Sequence, residues 1–163
     1  MATTPKKSVA RLEVKKTYKL YINGAFPRSE SGRVYEVLTS KGASVANPSL
    51  ASRKDLRDAV VAARAAQSGW AKATAYNRGQ ILYRIAEMLE GRTDQLVTEI
   101  SLATGVSTKK AHDEVLAAID RWVWYAGWSD KLSAAFGSTN PVAGPYYNFT
   151  IPEPQGVIAV APA

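Results

Sequence analysis

Residues 154–163 read Pro-Gln-Gly-Val-Ile-Ala-Val-Ala-Pro-Ala. A proline and a glycine lead into Val157-Ile158-Ala159-Val160, four apolar residues in a row. A short unbroken apolar run bounded by turn residues reads as a strand buried on both faces, the kind a parallel sheet contains. A buried strand needs neighbours on both sides. The sequence upstream of it falls into a few well-marked pieces.

Just before it, Tyr146-Tyr-Asn-Phe-Thr-Ile151 is rich in aromatic and β-branched residues and reads as another strand. Pro152 and Pro154 cannot donate to a ladder, which puts this strand at an edge or takes it out of its sheet there. Gly137, Asn140, Pro141, Gly144 and Pro145 break helix between it and a long helical region.

That region contains four amphipathic helices. Ser52-Arg-Lys-Asp55 is a capping-box pattern, followed by Leu56, Ala59, Val60, Ala63 and Ala66 on one stripe, with an end near Ser68-Gly69-Trp70. Asn77 offers a second cap, before Ile81, Leu82, Ile85, Ala86 and Leu89, with Gly91 as the stop. Thr93-Asp94 starts a third helix through Leu96, Val97, Ile100 and Ala103, closed by Gly105. Ser107 starts a fourth, running to about Leu132 with Val115, Ile119, Trp122, Val123 and Ala126 on one side. At the N-terminal end, Tyr18 to Ile22 alternates apolar and polar residues. Asn23-Gly24 follows and predicts a type I′ hairpin, because that turn needs positive φ at both central positions. Val34 to Val37 reads as a third strand, and Asn47-Pro48 punctuates the chain.

At 163 residues, 46% hydrophobic and 21% charged, the chain fits one globular domain. No apolar stretch approaches the roughly 20 residues of a membrane span, and the N-terminus lacks the apolar core of a secretory signal. The absence of cysteine excludes disulfides and thiol chemistry within these residues and agrees with a reducing cytoplasm, the expected location. The net charge of +7 is concentrated in residues 1–20, where six cations face Glu13 alone. This reads as a solvated basic tail; a nucleic-acid arm or a targeting peptide is the weaker reading.

The sequence holds no G-x-G-x-x-G, G-x-x-x-x-G-K-[ST], G-x-S-x-G or H-E-x-x-H. His112 is the sole histidine and lies in a charged run, where it reads as a solvated helix residue. With no Cys beside it, no metal site is expected. Trp122, Trp124, Tyr125 and Trp128 could stack bases, but core and interface packing of large aromatics is the stronger reading, with Trp124 turned elsewhere. Asn148-Phe149-Thr150 matches a glycosylation acceptor, which is empty without a secretory signal.

In order along the chain, these pieces resemble the N-terminal part of the aldehyde dehydrogenase superfamily. The resemblance rests on Leu20-Tyr-Ile-Asn-Gly-Ala-Phe26 with the Ser29-Glu-Ser-Gly-Arg33 turn, Asn47-Pro48, the alanine-rich helix ending in Gly69-Trp70, Arg78 to Leu89, Tyr125-Ala-Gly-Trp-Ser-Asp-Lys131, and Phe149 to Pro162. It covers residues 18–163. It implies an α/β fold in four parts: a basic flexible tail (1–17), a hairpin plus four-helix segment of the cofactor-binding domain (18–138), an oligomerisation-type β-arm (139–154), and the first strand of an incomplete Rossmann-like parallel sheet (155–163). The family is several-fold longer, so the chain is expected to be an N-terminal fragment.

For chemistry, the resemblance implies oxidation of an aldehyde with NAD or NADP, through a cysteine thiolate that attacks the carbonyl and a glutamate that activates water. Neither motif occurs in these residues, so no catalytic residue is expected here and the chain alone is expected to be inactive. The family's cofactor-contacting backbone maps onto Val160, Ala161 and Pro162, although Ala163 stands where the family usually has Trp. No tight cofactor binding by this chain alone is expected. The 146–151 strand implies pairing with itself or with a full-length aldehyde dehydrogenase by β-augmentation. A non-catalytic interaction module is thus the alternative to the enzyme reading, and no nucleic-acid or membrane partner is expected.

Overall fold

A computed structural model describes residues 15–39 and 41–161. The elements are β1 (Lys16–Tyr18), β2 (Val37–Leu38), β3 (Ser44–Pro48), α1 (Arg53–Lys72), α2 (Ala75–Glu90), α3 (Thr93–Thr104), α4 (Thr108–Trp128), α5 (Leu132–Phe136), β4 (Ser138–Asn140) and β5 (Asn148–Thr150).

The Asn23-Gly24 turn has the form its sequence dictates. Both residues have positive φ, 52° and 75°, and Ile22 and Ala25 exchange two backbone hydrogen bonds of 3.0 Å. The first sheet has the order β1-β3-β2, with β1 parallel and β2 antiparallel to β3. Its centre is Ala46, which is buried. Two expectations change here. Residues 16 and 17, assigned to the basic tail, belong to a strand; residues 1–14 of that tail lie outside the described residues. Asn47-Pro48 is not a loop but the end of β3, a position proline tolerates because its carbonyl still accepts, here from Tyr35 N–H at 3.0 Å.

The helices follow their caps. In α1 the Ser52 hydroxyl accepts from Asp55 N–H at 3.2 Å, and the Asp55 carboxylate accepts from Ser52 N–H at 2.8 Å. α1 runs through Gly69 to Lys72, since good helix formers follow the glycine. Thr74, not Asn77, caps α2, and its hydroxyl accepts from Asn77 N–H at 3.2 Å. α3 ends at Gly105 with φ 75°. α4 stops at Trp128, short of Leu132. There the Ser129 hydroxyl and the Lys131 ammonium donate to the last-turn carbonyls of Tyr125 and Gly127 and replace backbone continuation.

α2 and α3 pack on α4. Val97, Ala111 and Val115 form the buried centre, flanked by Leu96, Ile100, Val106 and Ile119. α2 approaches α4 closely at Gly79, where a Cβ would sit 3.1 Å from the Ala126 carbonyl oxygen. The apolar stripe of α1 has no such cover. Leu56 is 64% exposed, and the one buried residue of α1 is Asp55.

Of the core and interface packing expected for the aromatics of α4, the core part does not hold. Trp124 and Tyr125 are exposed and Trp122 lies at the edge of exposure. Instead of entering a core, Tyr125, Trp124, Trp128 and Phe136 form a surface file with successive ring centroids 4.9, 5.5 and 6.4 Å apart.

β4 and β5 form a separate antiparallel ribbon, Ser138 opposite Thr150 and Asn140 opposite Asn148. Val157–Val160 differs most from the sequence reading. Among the described residues it pairs with no strand, because no parallel neighbour is available to it.

Candidate functional site

The segment that carries the expected cofactor contacts is positioned by three elements. β5 delivers the chain to Pro152 and Pro154. These prolines have no N–H to satisfy, so the chain can cross a surface without a ladder. They line a cavity of about 350 Å³ shared with Trp70 of α1, Arg78 of α2, Asp130 of the α4–α5 turn and Leu132 of α5. Arg78 also ties the α1–α2 corner by donating to the Ala73 carbonyl. Gly156 then turns the chain with φ +114°, a region closed to most L side chains, against the Gln67 side chain of α1.

Beyond the turn, Val157 is 41% exposed, Ile158 70% and Val160 82%. Ala161 is exposed as well, and Pro162 lies outside the described residues. Among the described residues nothing hydrogen-bonds to the backbone of 157–161. Val160 and Ala161, adjacent in sequence, are thus exposed apolar residues with free backbone donors and acceptors. The structure offers them no phosphate-cradling glycine loop and no carboxylate of their own.

A second concavity, of about 580 Å³, lies between α2 and α4 and was not legible in the sequence. Tyr76, Tyr83 and Glu87 of α2 face Val123 and Asp130 across it. The Lys131 ammonium, 2.9 Å from Asp130, hydrogen-bonds to its carboxylate and holds it below the usual carboxylate range. That pair is exposed, so its attraction is screened. Neither Tyr76 nor Tyr83 belongs to the apolar stripe Ile81, Leu82, Ile85, Ala86 and Leu89 of α2; their position beside a facing helix is a tertiary fact.

Other expected features stand apart from both concavities. His112 is exposed on α4. Among the described residues no cluster of His, Cys, Asp or Glu could hold a metal ion, and no helix is long and apolar enough to cross a membrane.

Comparison with known proteins locates this arrangement. The model of the aldehyde dehydrogenase family matches residues 26–162. Human mitochondrial 10-formyltetrahydrofolate dehydrogenase is 35% identical over 162 residues, covering 94% of this chain and 17% of its own length. Human retinal dehydrogenase 2 is 38% identical over 151 residues, covering 90% of this chain and 28% of its own. Among solved structures, an aldehyde dehydrogenase from Bacillus cereus superposes with a TM-score of 0.76 at 27% identity, over 85% of this chain and 30% of its own. PnpE in complex with nicotinamide adenine dinucleotide gives a TM-score of 0.76 at 27% identity, over 81% of this chain and 27% of its own. The chain therefore spans less than a third of the length of each of these proteins.

Proposed function

The chain belongs to the aldehyde dehydrogenase family, and from that premise we propose that its residues are the N-terminal portion of an NAD- or NADP-dependent aldehyde-oxidising enzyme, supplying scaffold and one wall of the cofactor site. The observation that carries this is the unpaired apolar segment 157–161. Its free backbone fits both the first strand of a parallel sheet and a contact to a dinucleotide. When bound, the nicotinamide accepts hydride. Val160, Ala161 and Pro162 would hold its position through backbone contacts. Cysteine is absent from these 163 residues, so they hold no thiolate to attack a carbonyl. We assign no catalytic residue here, and we place the chain in the cytoplasm.

The test is a chimera in which this chain replaces the matching segment of the Bacillus cereus enzyme. The chimera is expected to reduce NAD or NADP with an aldehyde, and Val160→Asp is expected to raise KM for the cofactor well above that for aldehyde. The 163-residue chain alone is expected to give no aldehyde-dependent reduction. A folded chimera that binds no nicotinamide cofactor, or steady turnover by the short chain, overturns the proposal.

A second reading, a non-catalytic interaction module, is favoured by the β4–β5 ribbon. Tyr146, Tyr147, Phe149 and Ile151 are all more than half exposed, and each strand of the ribbon keeps a free edge. Such an edge suits β-augmentation by a second copy or by a full-length aldehyde dehydrogenase.

A further inference from the structure

Asn23 sits at the tip of the first hairpin, and its chemistry is independent of the family reading. An asparagine followed by a residue with an accessible backbone N–H can cyclise. The nitrogen of the next residue attacks Cγ, a C–N bond forms, and the side-chain nitrogen leaves as ammonia with the displaced proton. Water then opens the succinimide at either carbonyl, giving aspartate or isoaspartate. The reaction needs an accessible nucleophile, little bulk on the following residue, and a backbone that can reach the ring-closing geometry.

The chain has five asparagines, and the structure separates them. Asn47 and Asn140 precede Pro48 and Pro141, whose nitrogens carry no hydrogen. Asn77 lies in the first turn of α2, and the following N–H, that of Arg78, is engaged with the Thr74 carbonyl at 3.0 Å. Asn148 lies in β5. Its side-chain oxygen accepts from Asn140 Nδ2 at 3.1 Å, and the bulky Phe149 follows it.

Asn23 alone meets the requirements. Both Asn23 and Gly24 are exposed. Among the described residues neither the Asn23 side chain nor the Gly24 N–H has a hydrogen-bond partner, and nothing lies within 4 Å of where a Gly24 Cβ would be. The positive-φ turn must open before the ring can close. It is held by the two Ile22–Ala25 bonds and by Leu20 N–H on the Pro27 carbonyl at 3.1 Å. Residues 23–28 are exposed throughout, so opening here belongs to the low-energy end of local fluctuations.

We propose that Asn23 is a spontaneous deamidation site, giving aspartate and isoaspartate at the hairpin tip. Isoaspartate adds a methylene to the main chain and a negative charge. The two-residue turn cannot absorb that extra atom and keep the Ile22–Ala25 pairing.

The experiment is a time course of the folded chain in mildly alkaline buffer, with peptide mass spectrometry and isoaspartyl methyltransferase labelling. The peptide holding Asn23 is expected to gain a single dalton and to split into two products, faster as pH rises because the attacking nitrogen must lose its proton. The other four asparagines stay intact over the same period. Gly24→Ala should slow the reaction by an order of magnitude or more, and Asn23→Ser should abolish labelling at the tip. If Asn77 or Asn148 reacts first, or Asn23 is unchanged when the same peptide from urea-unfolded chain has converted, the proposal fails.

Discussion

Asp55 shows how one carboxylate can join two distant pieces of chain. Its oxygens accept from Ser52 N–H at 2.8 Å, the Ser29 hydroxyl at 2.7 Å and Glu30 N–H at 3.3 Å. The Ser52 backbone bond is the largest cause of its low pKa, followed by the Ser29 hydroxyl; together these bonds bring it from 3.8 to about 2. Each bond favours the ionised form. A pKa depressed on folding contributes stability that is complete above the unfolded value and is lost as pH falls through the folded one. Asp55→Asn should therefore lower the denaturation midpoint at neutral pH, and the gap to the unsubstituted chain should close as pH drops from 3.8 toward 2. Urea titrations at a series of pH values check this. A gap that does not change with pH would mean that the carboxylate's charge is irrelevant. Half of this site was legible in the sequence. Ser52-x-x-Asp55 announces a capping box by local spacing, but Ser29 is 26 positions away from Asp55 and no local rule brings it there.

The same division holds among the elements. The hairpin turn, the Ser52 and Ser107 caps and the Gly105 stop were readable because each depends on a few adjacent residues. β1 beside β3 was not, because a parallel pairing joins segments with no shared turn. Nor was the solvent-facing stripe of α1, since periodicity shows which face is apolar and not what covers it. For the candidate site, Val157–Val160 was visible in composition as an apolar run, but among the described residues it forms no strand, and the α2–α4 concavity depends on which helices meet. Gly137 tests how α5 hands the chain to the β4–β5 ribbon. Its N–H donates to the Ser133 carbonyl at 2.8 Å, and a Cβ there would fall 2.3 Å from that same oxygen. Backbone cannot step aside as a side-chain tip can, so Gly137→Ala should cost about 1–3 kcal/mol, the range for overpacking. The loss should be local. Hydrogen exchange is expected to quicken across 138–150 while α2, α3 and α4 keep their protection. Unchanged exchange in the ribbon would show that the crowding is relieved without loss of structure.

At the scale of the whole molecule, surface area decides. Among the described residues Leu56, Tyr146, Tyr147, Ile158 and Val160 are all more than half exposed. Stripes and edges of this kind bind one another when no partner is supplied. The isolated chain is therefore expected to self-associate with rising concentration and to bind a hydrophobic dye. Ile158→Lys with Val160→Lys should reduce both effects while changing stability by less than about 0.5 kcal/mol per position, because exposed sites tolerate substitution. Sedimentation velocity over a concentration series separates the outcomes. If the unsubstituted chain sediments as a single monomer with no dye binding, its exposed faces are not adhesive. If the lysine pair leaves association unchanged, another surface drives it, with the β4–β5 ribbon the next to test by Phe149→Lys.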